Sequence, residues 1–371
     1  MIWPPVQHMW QKIFLRAIAL LSFSIMTFGT PLAQTAPPEI TPTEQLAGDK
    51  TGKDAIKGPK PEQERPSVWG EPTEVHVMIF IIDIDGVDSA NQRFSGSVFL
   101  EARWNIPALR HSGPAPLVRR TTDVWTPRLV IVNQQQAWSA FPPFVEIQPD
   151  GEVVYRQKTW GWFSQPLDLR DFPLDRQTLS IHLVAAGLSE TEVKMVDLKK
   201  AGGRQSTIAK KLSMPDFQVT SWKAQQRPYV IVPGEKGVAG FIMEIETKRL
   251  ASYYIWKMIF PLCLIVMLSW SPFWIDPTES GTSIGISTTA FLTLVAYLFA
   301  VTILLPRVPY LTRLDRFILL STLLVFAGLI QTVLSAYLVN LNKLTLVKDL
   351  NFKSRIVYPI ALLAVLATSF I

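Results

Sequence analysis

The chain has 371 residues, 48% of them apolar and 18% charged, with a mean hydropathy of +0.22. That balance is too apolar for a wholly soluble protein and too polar for an all-membrane one, so a soluble part and a membrane part share one chain. A net charge of +6, scattered rather than gathered in a patch, gives no nucleic-acid footprint, and a single cysteine, Cys263, leaves the chain no internal disulfide.

At the N-terminus, Lys12 and Arg16 precede an apolar stretch over 17–28 and small residues over 33–36, which predicts a secretory signal peptide over 1–34 rather than an extra span. Residues 35–72 are rich in Pro, Lys, Glu, Gly and Thr, lack apolar periodicity and read as a flexible leader. Export then places the following domain and the C-terminus on the periplasmic or extracellular side of an inner membrane.

Over 73–249 short apolar segments alternate with turn residues, predicting strands over 74–83, 94–104, 178–184, 229–232 and 241–248. In 178–184, Leu179, Ile181 and Leu183 share one face and Thr178, Ser180 and His182 the other, as in a half-buried antiparallel strand. Pro149-Asp150-Gly151 supplies a hairpin turn. The pattern predicts an all-β sandwich. His76, His111 and His182 are isolated and no Ser-His-Asp order or metal-ligand spacing occurs, so no catalytic residue, metal or cofactor is expected.

From 250 to the end, uncharged runs cover 258–275, 280–306, 317–342 and 356–371, predicting four transmembrane helices at about 252–275, 282–305, 314–341 and 355–371. The last run is short, so Lys353 or Arg355 snorkels at its start. Lys343, Lys348, Lys353 and Arg355 obey the positive-inside rule, whereas Arg307, Arg313 and Arg316 lie on the opposite side. In the second helix Gly285, Thr289, Leu292, Ala296, Phe299 and Ile303 recur every three or four residues, with Ser287, Thr288 and Thr293 nearby and Glu279 just ahead. Helix-helix packing and pore lining both fit that stripe.

Trp125-Thr126-Pro127, Asn133, Phe172-Pro173-Leu174-Asp175, Lys248-Arg249, Pro261 and Leu305-Pro306-Arg307-Val308-Pro309-Tyr310 occur in this order ahead of and around the spans. Together they resemble the pentameric ligand-gated ion channels, the Cys-loop receptor superfamily, across 74–371. Eukaryotic members close the loop around Phe-Pro-x-Asp with a disulfide; the corresponding positions here are Gln165 and Leu179, as in the bacterial branch.

The resemblance implies a homopentamer in a lipid bilayer, with the second helix lining an axial pore and apolar rings of Leu292 and Phe299 forming its constrictions. It implies an agonist held between neighbouring exported domains, with Phe99, Trp138, Tyr229 and Phe241 at the aromatic positions and no aromatic in Val184-Ala185-Ala186. An amine would bind such a cage through ring quadrupoles. Protons are the second agonist, since Asp83, Asp85, Asp88 and Glu101 gather in the first two strands and crowded carboxylates titrate at raised pH. Phe172, Pro173, an Asp175–Arg249 pair with Asp88 as third member, and the Pro306–Pro309 turn would couple binding to the pore. Pro277-Thr278-Glu279-Ser280-Gly281 resembles the loop of cation-conducting members, making Glu279, reinforced by Asp276, the selectivity ring for monovalent cations, although Thr282 and Ser283 stand where those members carry Glu and Lys. The alternatives are a non-conducting membrane-anchored sensor and an anion-selective channel of the same family; a secondary transporter would show inverted repeats and midplane charges.

Overall fold

The computed structural model describes residues 63–66, 70–230, 233–234, 237–303, 305 and 307–370. The expected signal peptide, most of the leader, residues 231–232 and Pro306 lie outside them.

Among the described residues the β domain has twelve strands: β1 (Thr73–Asp88), β2 (Arg93–Asn105), β3 (Leu117–Arg120), β4 (Leu129–Ile131), β5 (Gln134–Ser139), β6 (Phe144–Ile147), β7 (Glu152–Ser164), β8 (Arg176–Ser189), β9 (Val193–Asp197), β10 (Thr207–Ile208), β11 (Phe217–Gln226) and β12 (Val238–Arg249). The larger sheet runs β10-β1-β2-β7-β6-β3, with β5 on β7 and β9 on β1; the smaller runs β11-β12-β8-β4. Period-two alternation drives the packing of one on the other. Leu179, Ile181 and Leu183 of β8 are buried beside Phe241, Met243 and Ile245 of β12, and Val75, Val77, Ile79 and Ile81 of β1 supply the facing layer. Each such side chain contributes roughly 1.5–3 kcal/mol by leaving water.

The 148–151 turn joins β6 to β7, with Gly151 at φ 84°, a left-handed conformation that favours glycine. Of the strand expected over 229–232, residues 231–232 lie outside the described ones, and Tyr229 pairs with Val238 through an isolated antiparallel bridge. A Cβ on Gly240 would sit 2.3 Å from the Arg227 carbonyl, so the hairpin closes over a glycine.

Four helices long and apolar enough to cross a membrane follow: α1 (Ser252–Trp274), α2 (Ser280–Thr302), α3 (Arg313–Asn340) and α4 (Leu344–Phe370). Within α1, a π-helical segment spans Ile255–Ile259 just ahead of Pro261, whose ring cannot follow a regular turn. The Met258 carbonyl there accepts the Tyr297 hydroxyl of α2 at 2.7 Å, so a backbone group at membrane depth keeps a partner. A capping box of Thr312 and Asp315 starts α3.

The fourth helix begins at Leu344 and not near 355. Its first turns carry charges, which broke the uncharged run, yet Lys353 and Asp349 pair at 2.7 Å across one turn on the exposed side while Val347 and Asn351 are buried. Residues 341–343 alone link α3 to α4, with Asn342 at φ 59°. Two of the three arginines that seemed to break the positive-inside rule, Arg313 and Arg316, have local partners. Arg313 reaches Asp171 of the exported domain at 2.7 Å and the Phe370 carbonyl at 2.9 Å, and Arg316 reaches the Thr368 carbonyl at 3.2 Å. Arg313 thereby ties the last turn of α4 to the sandwich.

Candidate pore and gating site

In α2, Ser287, Ala290, Leu294 and Val301 are buried against the other helices. Gly285, Thr289, Leu292, Ala296, Phe299 and Ile303 occupy the opposite, exposed face, with Leu292, Phe299 and Ile303 61%, 74% and 86% exposed in one protomer. The hydroxyls divide by role. Ser287 bonds Thr332 of α3 at 2.9 Å and is helix-packing glue, while Thr289 donates to the Gly285 carbonyl at 2.8 Å and stays on the open stripe.

Glu279 occupies the N-cap position of α2 itself, exposed and with no side-chain capping bond, so its carboxylate is free of the helix it precedes. Ser280 is the first helical residue and not the cap. Asp276 is exposed too, but one of its oxygens braces the loop by accepting from the Thr278 hydroxyl at 2.6 Å and the Thr278 amide at 2.9 Å. Those bonds hold its carboxyl below the usual range.

At the base of the sandwich, Arg249 donates from Nε and Nη2 to the two Asp175 oxygens at 2.6 and 3.1 Å. Gln177 gives Asp175 a further bond at 2.7 Å, and the guanidinium lies over the rings of Phe217 at 4.3 Å and Phe172 at 4.9 Å. The expected third member is different. Asp88 is taken up by its own turn, accepting from the Asn91 amide and side chain at 3.1 and 2.8 Å and from Arg93 at 3.2 Å, and Ser89 accepts from Arg249 at 2.9 Å in its place.

Phe172 and Pro173 are buried, and the Phe172 ring packs edge-on to Tyr254 of α1 at 4.8 Å. The same loop grips the start of α3. The Leu169 amide donates to the Tyr310 hydroxyl at 3.0 Å, and the Arg313 and Leu314 amides donate to the Arg170 and Phe172 carbonyls at 3.0 and 3.2 Å. Pro309 is exposed just before Tyr310. Sequence reasoning quoted Tyr310 only as part of a motif and missed Ser89, Phe217 and Tyr254.

The aromatic positions fall on two separate faces. Trp138 lies tilted against Trp160 at 5.1 Å, Trp160 meets Trp162 edge-on at 6.3 Å, and half-buried Phe99 stands edge-on to Phe141 of the β5–β6 connection, all on the side of the larger sheet. Tyr229 lies against His182 of the smaller sheet at 5.0 Å. Phe241 is a correction: it is fully buried in the core and presents no face to a ligand. Trp160 and Trp162 escaped notice because polar neighbours on β7 masked the strand; the Trp-x-Trp spacing was the available signal.

The acidic residues of β1 and β2 are not a mutually crowded cluster. Burial pushes the carboxyls of Asp83, Asp88 and Glu101 up, but hydrogen bonds from Ser213 to Asp83, from Asn91 and Arg93 to Asp88, and from Arg103 and Arg156 to Glu101 win and leave all three below the ordinary range. Asp85 accepts from Trp160 Nε1 at 2.7 Å.

Residues 59–239 match the neurotransmitter-gated ion-channel ligand binding domain, and residues 258–355 match the neurotransmitter-gated ion-channel transmembrane region. The chain is 25% identical over 317 residues to a proton-gated ion channel of Gloeobacter violaceus, covering 84% of this chain and 85% of that one. It is 24% identical over 280 residues to a gamma-aminobutyric acid receptor subunit beta of Caenorhabditis elegans, covering 72% of this chain and half of that longer one.

Proposed function

The chain belongs to the pentameric ligand-gated ion channels, and from that premise we propose that it forms a homopentamer conducting monovalent cations, opened by an agonist bound between neighbouring exported domains. It is a channel and not an enzyme. The observation that carries the conducting reading is the exposed stripe of α2 with an unengaged carboxylate at its foot. Five α2 N-termini each contribute roughly half a positive charge at the mouth, which alone favours anions, and five Glu279 carboxylates supply about twice the opposing charge. Five Leu292 and five Phe299 side chains around a narrow lumen exclude water and with it ions.

Trp138 and Trp160 lie on the larger sheet and Tyr229 on the smaller, so one protomer does not complete a cage and a shared site between copies is supported. The exposed Trp138 indole presents a negative face suited to a cationic amine. Protons are the second reading, carried by His182 beneath Tyr229, since hydrogen bonds already favour the ionised forms of Asp83, Asp88 and Glu101. From that site the signal would pass through the Asp175–Arg249 pair and the 168–175 loop to Tyr310, Pro309 and the start of α3; Pro306 belongs to the same proposed turn. The basic residues Lys343, Lys348, Lys353 and Arg355 stand at the bundle end away from the sandwich, which supports an inner-membrane protein with its β domain outside.

Recording from purified protein in planar bilayers, with amines and pH steps as stimuli, tests this reading. Unitary currents evoked by either stimulus are expected. A protein that binds amines and stays electrically silent is the non-conducting sensor instead.

A further inference from the structure

The loop that grips α3 is held at its neck by two glutamine side chains. Gln165, at the end of β7, uses both ends of its amide: Nε2 donates to the Thr178 carbonyl, and Oε1 accepts from the Ser180 amide at 2.8 Å and the Ser180 hydroxyl at 3.0 Å. Its own amide donates to the Gln92 carbonyl at 2.9 Å. Gln92 has φ 53°, a left-handed conformation disfavoured for a side-chain-bearing residue, and its side chain accepts the Leu167 amide at 2.5 Å while donating to the Ser89 carbonyl at 3.0 Å. Ser89 in turn accepts from Arg249, whose partner Asp175 accepts from Gln177, and Gln177 also reaches the Asp168 carbonyl at 2.6 Å. The hydrogen bonds therefore run from the neck of the loop to the buried charge pair where it re-enters β8.

We propose that Gln165 and Gln92 form a non-covalent clasp that keeps residues 166–177 in one fixed arrangement, so that the loop moves against Tyr310 and α3 as a single body. They are positioning residues. Closing the neck removes freedom from the loop, and a loop that flexed internally would absorb a displacement before passing it to α3. Both ends of one amide engaged on the opposite strand, and a second glutamine held in an unfavourable backbone conformation where its amide can reach Leu167, are more than a solvated loop base requires. The inference rests on the coupling role proposed for the loop.

The test is hydrogen–deuterium exchange on the purified full-length protein in lipid nanodiscs, with bilayer currents measured in parallel. Gln165→Ala and Gln165→Glu should each speed exchange over 166–177 and at the Leu314 amide by about tenfold or more at pH 7, with β1, β2 and α2 unchanged. A carboxylate cannot donate to the Thr178 carbonyl, but a protonated one can. Exchange in Gln165→Glu should thus return to within about twofold of the wild type at pH 3, well below the ordinary glutamate pKa of about 4.3, whereas Gln165→Ala stays fast relative to the wild type at the same pH. Gln92→Ala should reproduce the Gln165→Ala pattern. Exchange unchanged in both alanine variants, or raised evenly over the sandwich, overturns the clasp. Local loosening with unaltered gating supports the clasp and overturns the coupling role of the loop instead.

Discussion

Arg249, the last residue of β12, and Asp175, the residue before β8, hold each other through two charge-assisted hydrogen bonds at 2.6 and 3.1 Å with both side chains at most 2% exposed. Three residues after Arg249 the chain enters the membrane helices, and three residues before Asp175 it touches Tyr254 through Phe172. The pair thus lies where the β domain meets the membrane helices.

Neutralising either partner leaves an uncompensated buried charge, which costs about 3–5 kcal/mol in a typical interior. Asp175→Asn and Arg249→Gln are each expected to impair gating while pentamers still assemble. A double-mutant cycle on open probability should give a coupling of about 0.5–3 kcal/mol. Strictly additive effects would mean the pair does not act as one gating contact.

The exposed apolar side chains of α2 lead to a second expectation. Leu292→Ser and Phe299→Ala each weaken a dry constriction and should raise the spontaneous current several-fold, with Thr289→Ala having a smaller effect. Recordings without agonist decide it, and two variants as silent as the wild type would remove these rings from the gate.

Titration separates the histidine from the carboxylates. Burial pushes the His182 imidazole below its ordinary range, against the opposing pull of the Arg227 backbone; Arg227 disfavours its protonation and Glu244, itself paired with Arg227 and Lys223, favours it. An imidazole that binds protons less readily folded than unfolded gives stability that is complete above about pH 6.5 and is lost as pH falls through the lower folded value. The depressed Glu101 carboxyl acts in the same sense, but only below about pH 4.3. Thermal melting of the purified pentamer should therefore drop between pH 7 and pH 5, less so in His182→Phe, and Glu101→Gln should alter the profile only at lower pH. An identical slope in His182→Phe would contradict this.

Much of the architecture was legible because it follows simple periods. The alternation in β8 fixed which face is buried and the three-to-four spacing in α2 picked out the stripe that stands exposed, whereas the Asp175–Arg249 pair was legible only through the family resemblance. Failures arose where tertiary partners decide. The charges at the start of α4 lie on one side of a helix and look like a loop only when hydropathy is read without periodicity. Phe241 shares its face with Met243 and Ile245, and that alternation already argued for the core. Asp88 was assigned by its charge, but a turn residue that caps its own loop is unavailable to a distant arginine. Nothing local in Gln92 or Gln165 announces a clasp, since both depend on strands more than ten residues away.

The measurement that bears most directly on a cation-conducting channel is the reversal potential under a potassium chloride gradient, for the wild type and Glu279→Gln. The exposed carboxylate at the α2 N-cap predicts a wild-type potential displaced toward the potassium equilibrium value, and a displacement toward zero or toward chloride once five carboxylates are lost. A wild-type pore that prefers chloride, or a Glu279→Gln pore with unchanged preference, would contradict it.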